Sequence, residues 1–320
     1  MKKLLVLVLC LGLVLSAAAC GNKDGEDGLS GEVIIDGSGT VYPLMAAVAE
    51  KYMTNKEPGV SVQVSRAGSS AGFKKFIAEE TDFSDASRAI KDSEKEGLAE
   101  KGYVVGTDVL EFKVALDGLT IVINKDNDWA TEMTREEIIN MYLSGTYKAD
   151  DKVLWSDIRA EWPGEEIKFF GPNENHGTYE FFFEKILDEQ PMVTTATLEQ
   201  EYSTLVDLVS KEKNAIAFFG FGYYVSNTDK LTAVKVDFGN GPVEPTLATI
   251  GETLPYSGFT RPVFTYLNVK FALAEPQILD YAKYCVSPEG FAALAGETGF
   301  APLPDEDYAA YATQLENLGK

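Results

Sequence analysis

Residues 33–40, Val-Ile-Ile-Asp-Gly-Ser-Gly-Thr, begin a strand, loop and helix pattern that recurs along the chain and predicts its fold. An apolar run of β-strand character leads into a loop of Gly, Ser and Thr, and an apolar face at helical spacing begins at about Pro43. The same order returns at residues 60–77, around Gly-Ser-Ser-Ala-Gly, and at residues 167–187, around Asn-His-Gly-Thr. Such loops present free backbone N–H groups, short hydroxyls and the positive end of a helix dipole. Three of them predict one small oxyanion held from several sides.

Two long apolar segments, Phe112–Asn124 and Arg261–Val269, are rich in β-formers and are interrupted by Gly or Pro. Strand and helix patterns alternate along the rest of the chain, which favours an α/β architecture with parallel sheets. We expect the two long segments to cross between two lobes as a hinge, with a ligand cleft between them. Lobe one would comprise residues 31–116 and 258–320, and lobe two residues 117–257. Hinge closure around a ligand is the motion expected of such a protein.

The N-terminus predicts export. Met-Lys-Lys precedes an apolar run, Leu4–Leu15, which is too short for a comfortable membrane span, and Ser-Ala-Ala-Ala-Cys follows at residues 16–20. We interpret residues 1–19 as a lipoprotein signal peptide and Cys20 as the acylated first residue of the mature chain. The alternative is an ordinary secretory signal in which Cys20 is incidental. Residues 20–30 are polar and Gly/Asp-rich, as in a flexible tether. The predicted location is the outer face of the cytoplasmic membrane, or its periplasmic side.

The charge of the chain excludes several kinds of partner. It has 28 basic and 50 acidic residues, a formal net charge of −22, which repels nucleic acid and anionic lipid headgroups. A membrane is therefore expected to be reached only through the lipid anchor, and an anion site must rely on local hydrogen bonds. Cys285 is the one cysteine beyond the signal region and is expected to be a small buried hydrophobe. Nothing in the sequence indicates a cofactor or a metal site, and a monomer is expected.

Five motifs stand in an order that carries a resemblance. They are Gly-Ser-Gly-Thr-Val-Tyr-Pro at 37–43, Gly-Ser-Ser-Ala-Gly at 68–72, Asp-Phe-Ser-Asp-Ala-Ser-Arg at 82–88, Gly-Pro-Asn-Glu-Asn-His-Gly-Thr at 171–178 and Ala-Ile-Ala-Phe-Phe-Gly at 215–220. The chain resembles the PstS-type phosphate-binding proteins of bacterial phosphate ABC transporters over nearly all of its mature length. The resemblance implies a two-lobed fold of the periplasmic-binding-protein type (type II), inorganic phosphate as ligand, and delivery to a membrane permease.

The resemblance also implies which residues contact the anion. The roles carry over to Thr40 and the amide of Val41, to Ser69 with Ser70 beside it, and to Gly177 and Thr178. The full set expected at the site adds neighbours in the same loops: Ser38, Thr40, Val41, Ser69, Ser70, Ser87, Arg88, His176, Gly177 and Thr178.

Arg88 stands where the family has an aspartate. Family members place an arginine shortly before the third loop, but here that stretch reads Gly171-Pro172. We expect Arg88 to supply the guanidinium instead, because its fork geometry suits a tetrahedral anion. The alternative is an arginine on a surface turn, paired with Asp85 or Asp92.

Selectivity for phosphate over sulfate depends on two further positions at which this chain departs from the family pattern. A buried carboxylate that accepts a hydrogen from protonated phosphate would reject sulfate, and Asp85 is the nearest candidate, displaced by two or three residues. His176, the only histidine, stands where the family commonly has Ser. It could contact the anion as imidazole or imidazolium, or it could point to solvent while Gly177 and Thr178 make the contacts.

Two other functions stay open from the sequence. Another tetrahedral oxyanion, such as sulfate, molybdate or arsenate, would suit the same loops. An exported serine hydrolase is the second alternative, because Gly68, Ser70 and Gly72 fit the Gly-x-Ser-x-Gly pattern and His176 could act as a base. That pattern is short, and the three loops explain the same residues as anion donors.

Overall fold

The computed structural model describes residues 28–320. The predicted signal peptide, the lipidation site at Cys20 and residues 20–27 of the predicted tether lie outside the described residues. Leu29 is half-buried against the core, and its amide donates to a Glu57 carboxylate oxygen at 2.8 Å. The chain therefore packs onto the domain slightly before the expected boundary at residue 31. Within residues 28–320, no helix is both long enough and apolar enough to cross a membrane.

The described chain alternates strands and helices along most of its length. The strands are β1 (Gly31–Gly37), β2 (Val60–Val64), β3 (Phe83–Ala86), β4 (Val109–Asn124), β5 (Glu132–Thr134), β6 (Lys168–Pro172), β7 (Thr197–Glu199), β8 (Ala215–Gly220), β9 (Leu231–Ala233), β10 (Lys235–Asp237), β11 (Pro242–Val243) and β12 (Thr260–Asn268). The α-helices are α1 (Tyr42–Asn55), α2 (Ser69–Ile77), α3 (Asp92–Glu100), α4 (Arg135–Tyr142), α5 (Trp155–Ile158), α6 (Gly177–Phe181), α7 (Tyr202–Lys211), α8 (Phe221–Val225), α9 (Val269–Ala274), α10 (Pro276–Cys285), α11 (Phe291–Leu294) and α12 (Asp305–Glu316). A π-helical turn, Phe182–Ile186, continues α6, and 3₁₀ turns cover Ser257–Phe259 and Gly296–Thr298.

The first lobe is built on parallel strands. β1 lies between β2 and β3 and pairs in parallel with both. The helix after β1 buries the apolar face that its spacing predicts, with Leu44, Val48 and Tyr52 inside. The helix after β2 likewise buries Phe73 and Phe76. Because the three strands run in one direction, the loops that follow them all emerge at the same edge of the sheet.

The second lobe repeats this arrangement. β6 pairs in parallel with β7 and with β8, and helix α7 packs on β8 in an apolar cluster that includes Leu205 and Val209. β8 is buried along its whole length, as its run of Ala, Ile and Phe predicts. The aromatic residues Phe218 and Phe219 of this strand are fully buried in core clusters.

Two long antiparallel strands join the lobes. β4 pairs with β12 through its first part, residues 109–118, and with β8 and β9 through its second part, residues 119–124. β12 in turn pairs with β3 of the first lobe. The predicted crossover segments are therefore a shared pair of strands on which both lobes are built. The exact residues at which one lobe ends and the other begins stay a prediction.

The C-terminal helices complete the first lobe. Helix α10 contacts β1, and Tyr281 on this helix packs edge-on against Tyr52 and Phe83. Cys285 is buried, as the sequence predicts, and forms no disulfide within residues 28–320.

Candidate functional site

The three predicted loops meet where the two lobes face each other. The first follows β1, the second begins α2, and the third lies between β6 and α6. A fourth segment, Ser87-Arg88, follows β3. In α/β proteins, the carboxyl ends of parallel strands are the usual place for a ligand. The structure therefore brings the predicted loops together, and the binding of an anion at this place stays a prediction.

The first loop is organised around the Ser38 hydroxyl. Its oxygen accepts from the Thr40 amide at 3.1 Å and from the Val41 amide at 3.4 Å, and the hydroxyl donates to Ser87 Oγ at 2.9 Å. Gly37 allows this turn, because a Cβ at that position would lie 2.1 Å from the Asp85 carbonyl oxygen. The Ser38 side chain thus joins two loops of the first lobe, and it is almost completely buried.

Asp36 fixes the first loop to the second. Its Oδ1 accepts from the Gly37 amide at 2.8 Å and from the Ala67 amide at 2.9 Å, while Lys75 pairs with Oδ2. The Gly68 amide also donates to the Gly37 carbonyl at 2.7 Å. The two Gly/Ser loops are therefore held in one fixed relation by the buried Asp36 carboxylate.

Ser69 and Ser87 form the floor contributed by the second loop and by the segment after β3. Ser69 Oγ accepts from the Ser87 amide at 3.2 Å and lies 3.5 Å from Ser87 Oγ. Helix α2 has no side-chain cap at Gly68, so within residues 28–320 the N–H groups of its first turn, beside Ser69, have no capping side chain as acceptor. Gly177 of the third loop lies directly opposite, since a Cβ there would be 2.7 Å from Ser69 Oγ and 2.5 Å from Ser87 Oγ.

Three hydroxyl groups connect the lobes at the centre of the site. Thr40 Oγ1 of the first lobe lies 2.6 Å from Thr178 Oγ1 of the second, and the Tyr202 hydroxyl lies 3.0 Å from Thr40 Oγ1 and 2.8 Å from Thr178 Oγ1. All three side chains are buried. Tyr202 is fixed by stacking on Tyr223, with ring centroids 4.3 Å apart. The arrangement offers several short hydroxyls that can each donate one hydrogen to a shared acceptor.

Arg261 is a functional candidate that the sequence reasoning did not include in the site. Its Nη1 donates to the Gly177 carbonyl at 2.9 Å, and its Nη2 donates to Thr178 Oγ1 at 2.8 Å. Asp117, which is fully buried, accepts from Nε and Nη2 of the same guanidinium. The sequence did contain an indication: Asp117 stands in one long apolar segment and Arg261 in the other, and charges are buried only as pairs.

Arg261 also settles which way the Thr178 hydroxyl points. A guanidinium can only donate hydrogen bonds, so Thr178 Oγ1 must accept from Nη2. The hydrogen of the Thr178 hydroxyl is then free to be donated in another direction, toward Thr40, Tyr202 or a bound acceptor. The buried cation therefore prepares this hydroxyl as a donor.

Arg88 and Ser70 lie beside this centre and have other partners. The Arg88 guanidinium is paired with Glu180 through Nε and with Glu94 through Nη1 and Nη2 at 2.8 Å and 2.7 Å. Ser70 donates to Glu180 Oε1 at 2.7 Å and accepts from Arg88 Nη2 at 3.1 Å. The surface partners weighed for Arg88, Asp85 and Asp92, are not the ones it has. The structure thus groups Ser70 and Arg88 with two glutamates.

His176 is buried, with only 2% of its surface exposed, so the alternative of a loop histidine that points to solvent is wrong. Its Nε2 lies 2.8 Å from the Gln200 carbonyl oxygen. Since that oxygen can only accept, Nε2 carries the hydrogen, and Nδ1 holds a lone pair on the side of the ring that faces Gly39. Burial lowers the pKa of His176 below its usual value, which favours the neutral ring.

Asp85, the carboxylate considered for selectivity, lies in the core. It is almost fully buried, and neither carboxylate oxygen has a hydrogen-bond partner among residues 28–320. Burial raises its pKa to about 8. The carboxyl group thus stays in the core, and none of the site's hydroxyls bonds to it.

Comparison with known proteins places these features in a family. Residues 22–289 match the family model described as the PBP superfamily domain. The phosphate-binding protein PstS of Staphylococcus epidermidis is 38% identical over 313 residues, which covers 96% of this chain and 90% of the relative. The protein of the same name from Staphylococcus saprophyticus is 37% identical over 312 residues, covering 96% and 92%.

Solved structures show the same likeness. A crystal structure described as a possible phosphate binding protein from Planctomyces limnophilus is 36% identical, with a TM-score of 0.64, and the match covers 92% of this chain and all of the other. An ABC-type phosphate transport receptor from Vibrio cholerae is 23% identical, with a TM-score of 0.62, covering 85% of this chain and all of that one. At that identity, the second likeness shows the fold alone.

Proposed function

The chain belongs to the PBP superfamily and, within it, to the PstS phosphate-binding proteins, and from this membership we propose that it binds inorganic phosphate outside the cytoplasm and delivers it to the permease of a phosphate ABC transporter. The observation that carries the proposal is the meeting of Thr40 and Thr178 across the cleft at 2.6 Å. Each hydroxyl belongs to a different lobe, so an anion that accepts from both joins the lobes. Binding and closure are then one event.

The anion is proposed to accept hydrogen bonds from donors of both lobes. A dianion between Thr40 and Thr178 would replace their direct bond, so the two hydroxyls would move apart to contact different oxygens. The proposed donors are Ser38, Thr40, the Val41 amide, Ser69 and Ser87 from one lobe, and the Gly177 amide and Thr178 from the other. Neutral donors fixed before binding suit a chain of net charge −22, whose surface repels a free oxyanion.

The cation of the site is proposed to be Arg261 and not Arg88. Arg261 is 2% exposed and already bonded to Thr178, so its positive charge lies within one hydroxyl of the anion. Asp117 balances that charge when no anion is bound. Arg88, by contrast, is neutralised by two carboxylates, which leaves it little to offer a dianion.

We propose phosphate as the ligand, and not another tetrahedral oxyanion, because of the family to which the chain belongs. A selective site needs an acceptor for the hydrogen of protonated phosphate. The Asp85 carboxylate is not available for this, as described above. The Tyr202 hydroxyl can accept as well as donate, and it bonds to both threonines at the centre of the site. It is therefore our candidate for this role.

A hydrolase is not favoured. Among the described residues, no hydrogen bond joins Ser69 or Ser70 to His176; Ser70 instead donates to Glu180. The Gly-x-Ser-x-Gly pattern requires a strand-to-helix elbow with a nearby base, and this pairing is missing from residues 28–320. We propose a binding protein without catalytic activity, anchored through a lipid on Cys20 and acting as a monomer.

Calorimetry of the mature chain with phosphate, sulfate, molybdate and arsenate tests the proposed function. Phosphate should bind with an affinity in the micromolar range or tighter, and sulfate at least about tenfold more weakly. Tight binding of sulfate without phosphate binding would overturn the ligand, and turnover of nitrophenyl esters would overturn the class. Thr40→Val should weaken phosphate binding, while Thr81→Val should not, since the buried Thr81 hydroxyl has no hydrogen-bond partner among residues 28–320.

A further inference from the structure

A second set of polar contacts crosses between the lobes beside the anion donors. Arg88 and Lys91 follow β3 in the first lobe, and Glu180 and Glu184 lie on α6 and the π-helical turn in the second. Arg88 pairs with Glu180 through Nε, and Lys91 Nζ lies 2.9 Å from Glu180 Oε1 and 3.0 Å from Glu184 Oε1. Two cations of one lobe thus share a carboxylate of the other.

The centre of this set is shielded from water. The side chain of Arg88 is 8% exposed and that of Glu180 is 10% exposed. Burial by itself would raise the pKa of Glu180, but the hydrogen bond and charge of Arg88 and the hydrogen bonds from Ser70 and Lys91 together outweigh it, and the pKa lies below its usual value. A pair of this kind is screened little by salt, and breaking it by removing one partner is costly.

A second interlobe ion pair provides an internal comparison. Arg66 of the first lobe and Glu201 of the second lie 3.0 Å apart, with side chains that are 44% and 48% exposed. The sign of the charges is the same as before, with the cation on the first lobe and the carboxylate on the second. Exposed pairs contribute little and are weakened by salt. The two pairs therefore differ mainly in burial.

We propose that Arg88, Lys91 and Glu180 form a latch that sets the equilibrium between the open and closed lobes without contacting the anion. The inference rests on the proposed function in one respect, namely that closure accompanies anion binding. The latch would slow release of the bound anion, because opening must break the contacts of Glu180 with both cations.

The local partners of Arg88 make such a latch reversible. Glu94 lies on α3 of the same lobe as Arg88 and bonds to both of its Nη atoms. When the lobes separate, Arg88 can keep Glu94 and is not left as an unpaired buried cation, while Lys91, whose side chain is 36% exposed, loses its carboxylates to water. Glu180 would lose its cations but gain water at the opened cleft. The cost of opening is then moderate, which suits a protein that must release its ligand to a permease.

Glu180→Gln tests the latch, with Glu201→Gln as the matched control. The glutamine keeps the shape of Glu180 and an oxygen that can accept from Ser70, but it removes the charge. Stopped-flow measurement of phosphate binding should show a dissociation rate raised by about tenfold in Glu180→Gln, with the association rate changed by less than about threefold. Glu201→Gln should stay within about twofold of the wild type for both rates.

The fraction of closed molecules in the ligand-free protein tests the latch without phosphate. Dyes on Lys101→Cys and Lys211→Cys, which are exposed positions of the two lobes, report the closed population by single-molecule energy transfer. That population should fall in Glu180→Gln and stay at the wild-type level in Glu201→Gln. If Glu180→Gln does not fold, Lys91→Gln, whose side chain is 36% exposed, replaces it and should shift the population in the same direction.

The outcomes separate the latch from the proposed function. Unchanged dissociation and closed population in a folded Glu180→Gln would overturn the latch, and so would an equal effect in Glu201→Gln. A loss of association rate instead of a gain in dissociation rate would place Glu180 in capture of the anion and would also overturn it. Failure of the wild type to bind phosphate would refute the proposed function, while the closed population of the ligand-free protein would still decide on the latch.

Discussion

Asp117 and Arg261 lie directly opposite each other on the two strands that cross between the lobes, and Asp117 Oδ2 accepts from Arg261 Nε at 3.1 Å and from Nη2 at 2.8 Å. This pairing fixes the plane of the guanidinium. Its other hydrogens then reach the Gly177 carbonyl and Thr178 Oγ1 of the third loop. The two strands that cross between the lobes therefore position the third loop, which links their geometry to that of the proposed anion donors.

Arg261→Lys should weaken phosphate binding by at least about tenfold. An ammonium group cannot satisfy Asp117, the Gly177 carbonyl and Thr178 at once, because those contacts depend on a planar fork. Calorimetry measures the loss. Arg66→Lys is the control, since Arg66 is an exposed interlobe arginine, and its affinity should stay within about twofold. Equal affinities for wild type and Arg261→Lys would remove Arg261 from the site.

Gly177→Ala should prevent full closure. An added Cβ would lie 2.5 Å from Ser87 Oγ and 2.7 Å from Ser69 Oγ, and both atoms belong to the facing lobe. The helix itself tolerates alanine, so the melting temperature of the ligand-free protein should change little. Phosphate should then raise that temperature much less than in the wild type. Gly164→Ala should behave like the wild type, because the nearest atom to its Cβ would be 4.0 Å away. An equal rise of the melting temperature with phosphate in both variants would contradict the close contact at Gly177.

The loops and the strands before them could be predicted because their patterns are local. In the segment predicted at residues 60–77 the strand covers Val60–Val64, and the helices after the first two loops bury the predicted faces. In the third case, helix α6 covers only Gly177–Phe181 before a π-helical turn takes over. The apolar spacing alone did not indicate that change of helical geometry.

The partners of individual side chains could not be predicted in the same way. Arg88 pairs with a glutamate 92 positions away, and that choice depends on how the lobes close. Asp85 is on a strand whose four residues are all buried, so no alternation of polar and apolar residues showed which way its carboxyl points. The Asp117–Arg261 pair needed the register of two long strands, which the composition of those strands does not fix.

Asp85→Asn should remove a dependence of stability on pH. A carboxyl has a pKa of about 3.9 in an unfolded chain, whereas burial raises that of Asp85 to about 8. Between these values the folded chain holds a proton that the unfolded chain has released. The free energy of unfolding therefore falls as pH rises, by up to about 1.4 kcal/mol per pH unit.

Urea unfolding at about pH 5 and about pH 8 measures this effect. The difference in stability between the two pH values should be smaller in Asp85→Asn than in the wild type, and the variant should be the more stable protein at the higher pH. Asp92→Asn is the control, because Asp92 carries an exposed carboxylate whose loss should leave the slope unchanged. A slope that persists in Asp85→Asn would mean that Asp85 is not the group responsible.

The imidazole ring of His176 should be uncharged in the folded protein at neutral pH and above. Burial lowers its pKa below the usual 6.5, so the unfolded chain takes up a proton before the folded chain does as pH falls. The stabilisation given by the neutral ring is thus present above about pH 6.5 and is lost as the pH drops below it. His176→Gln, which can still donate to the Gln200 carbonyl, should lack this loss in urea unfolding.

The phosphate affinity gives a second measurement of the protonation of His176. Phosphate itself titrates in this range, so the informative quantity is the ratio of the phosphate affinities of the wild type and His176→Gln. It should be constant between about pH 7 and pH 8.5, whereas a ratio that rises in favour of the wild type as pH falls would show that a protonated His176 binds the anion.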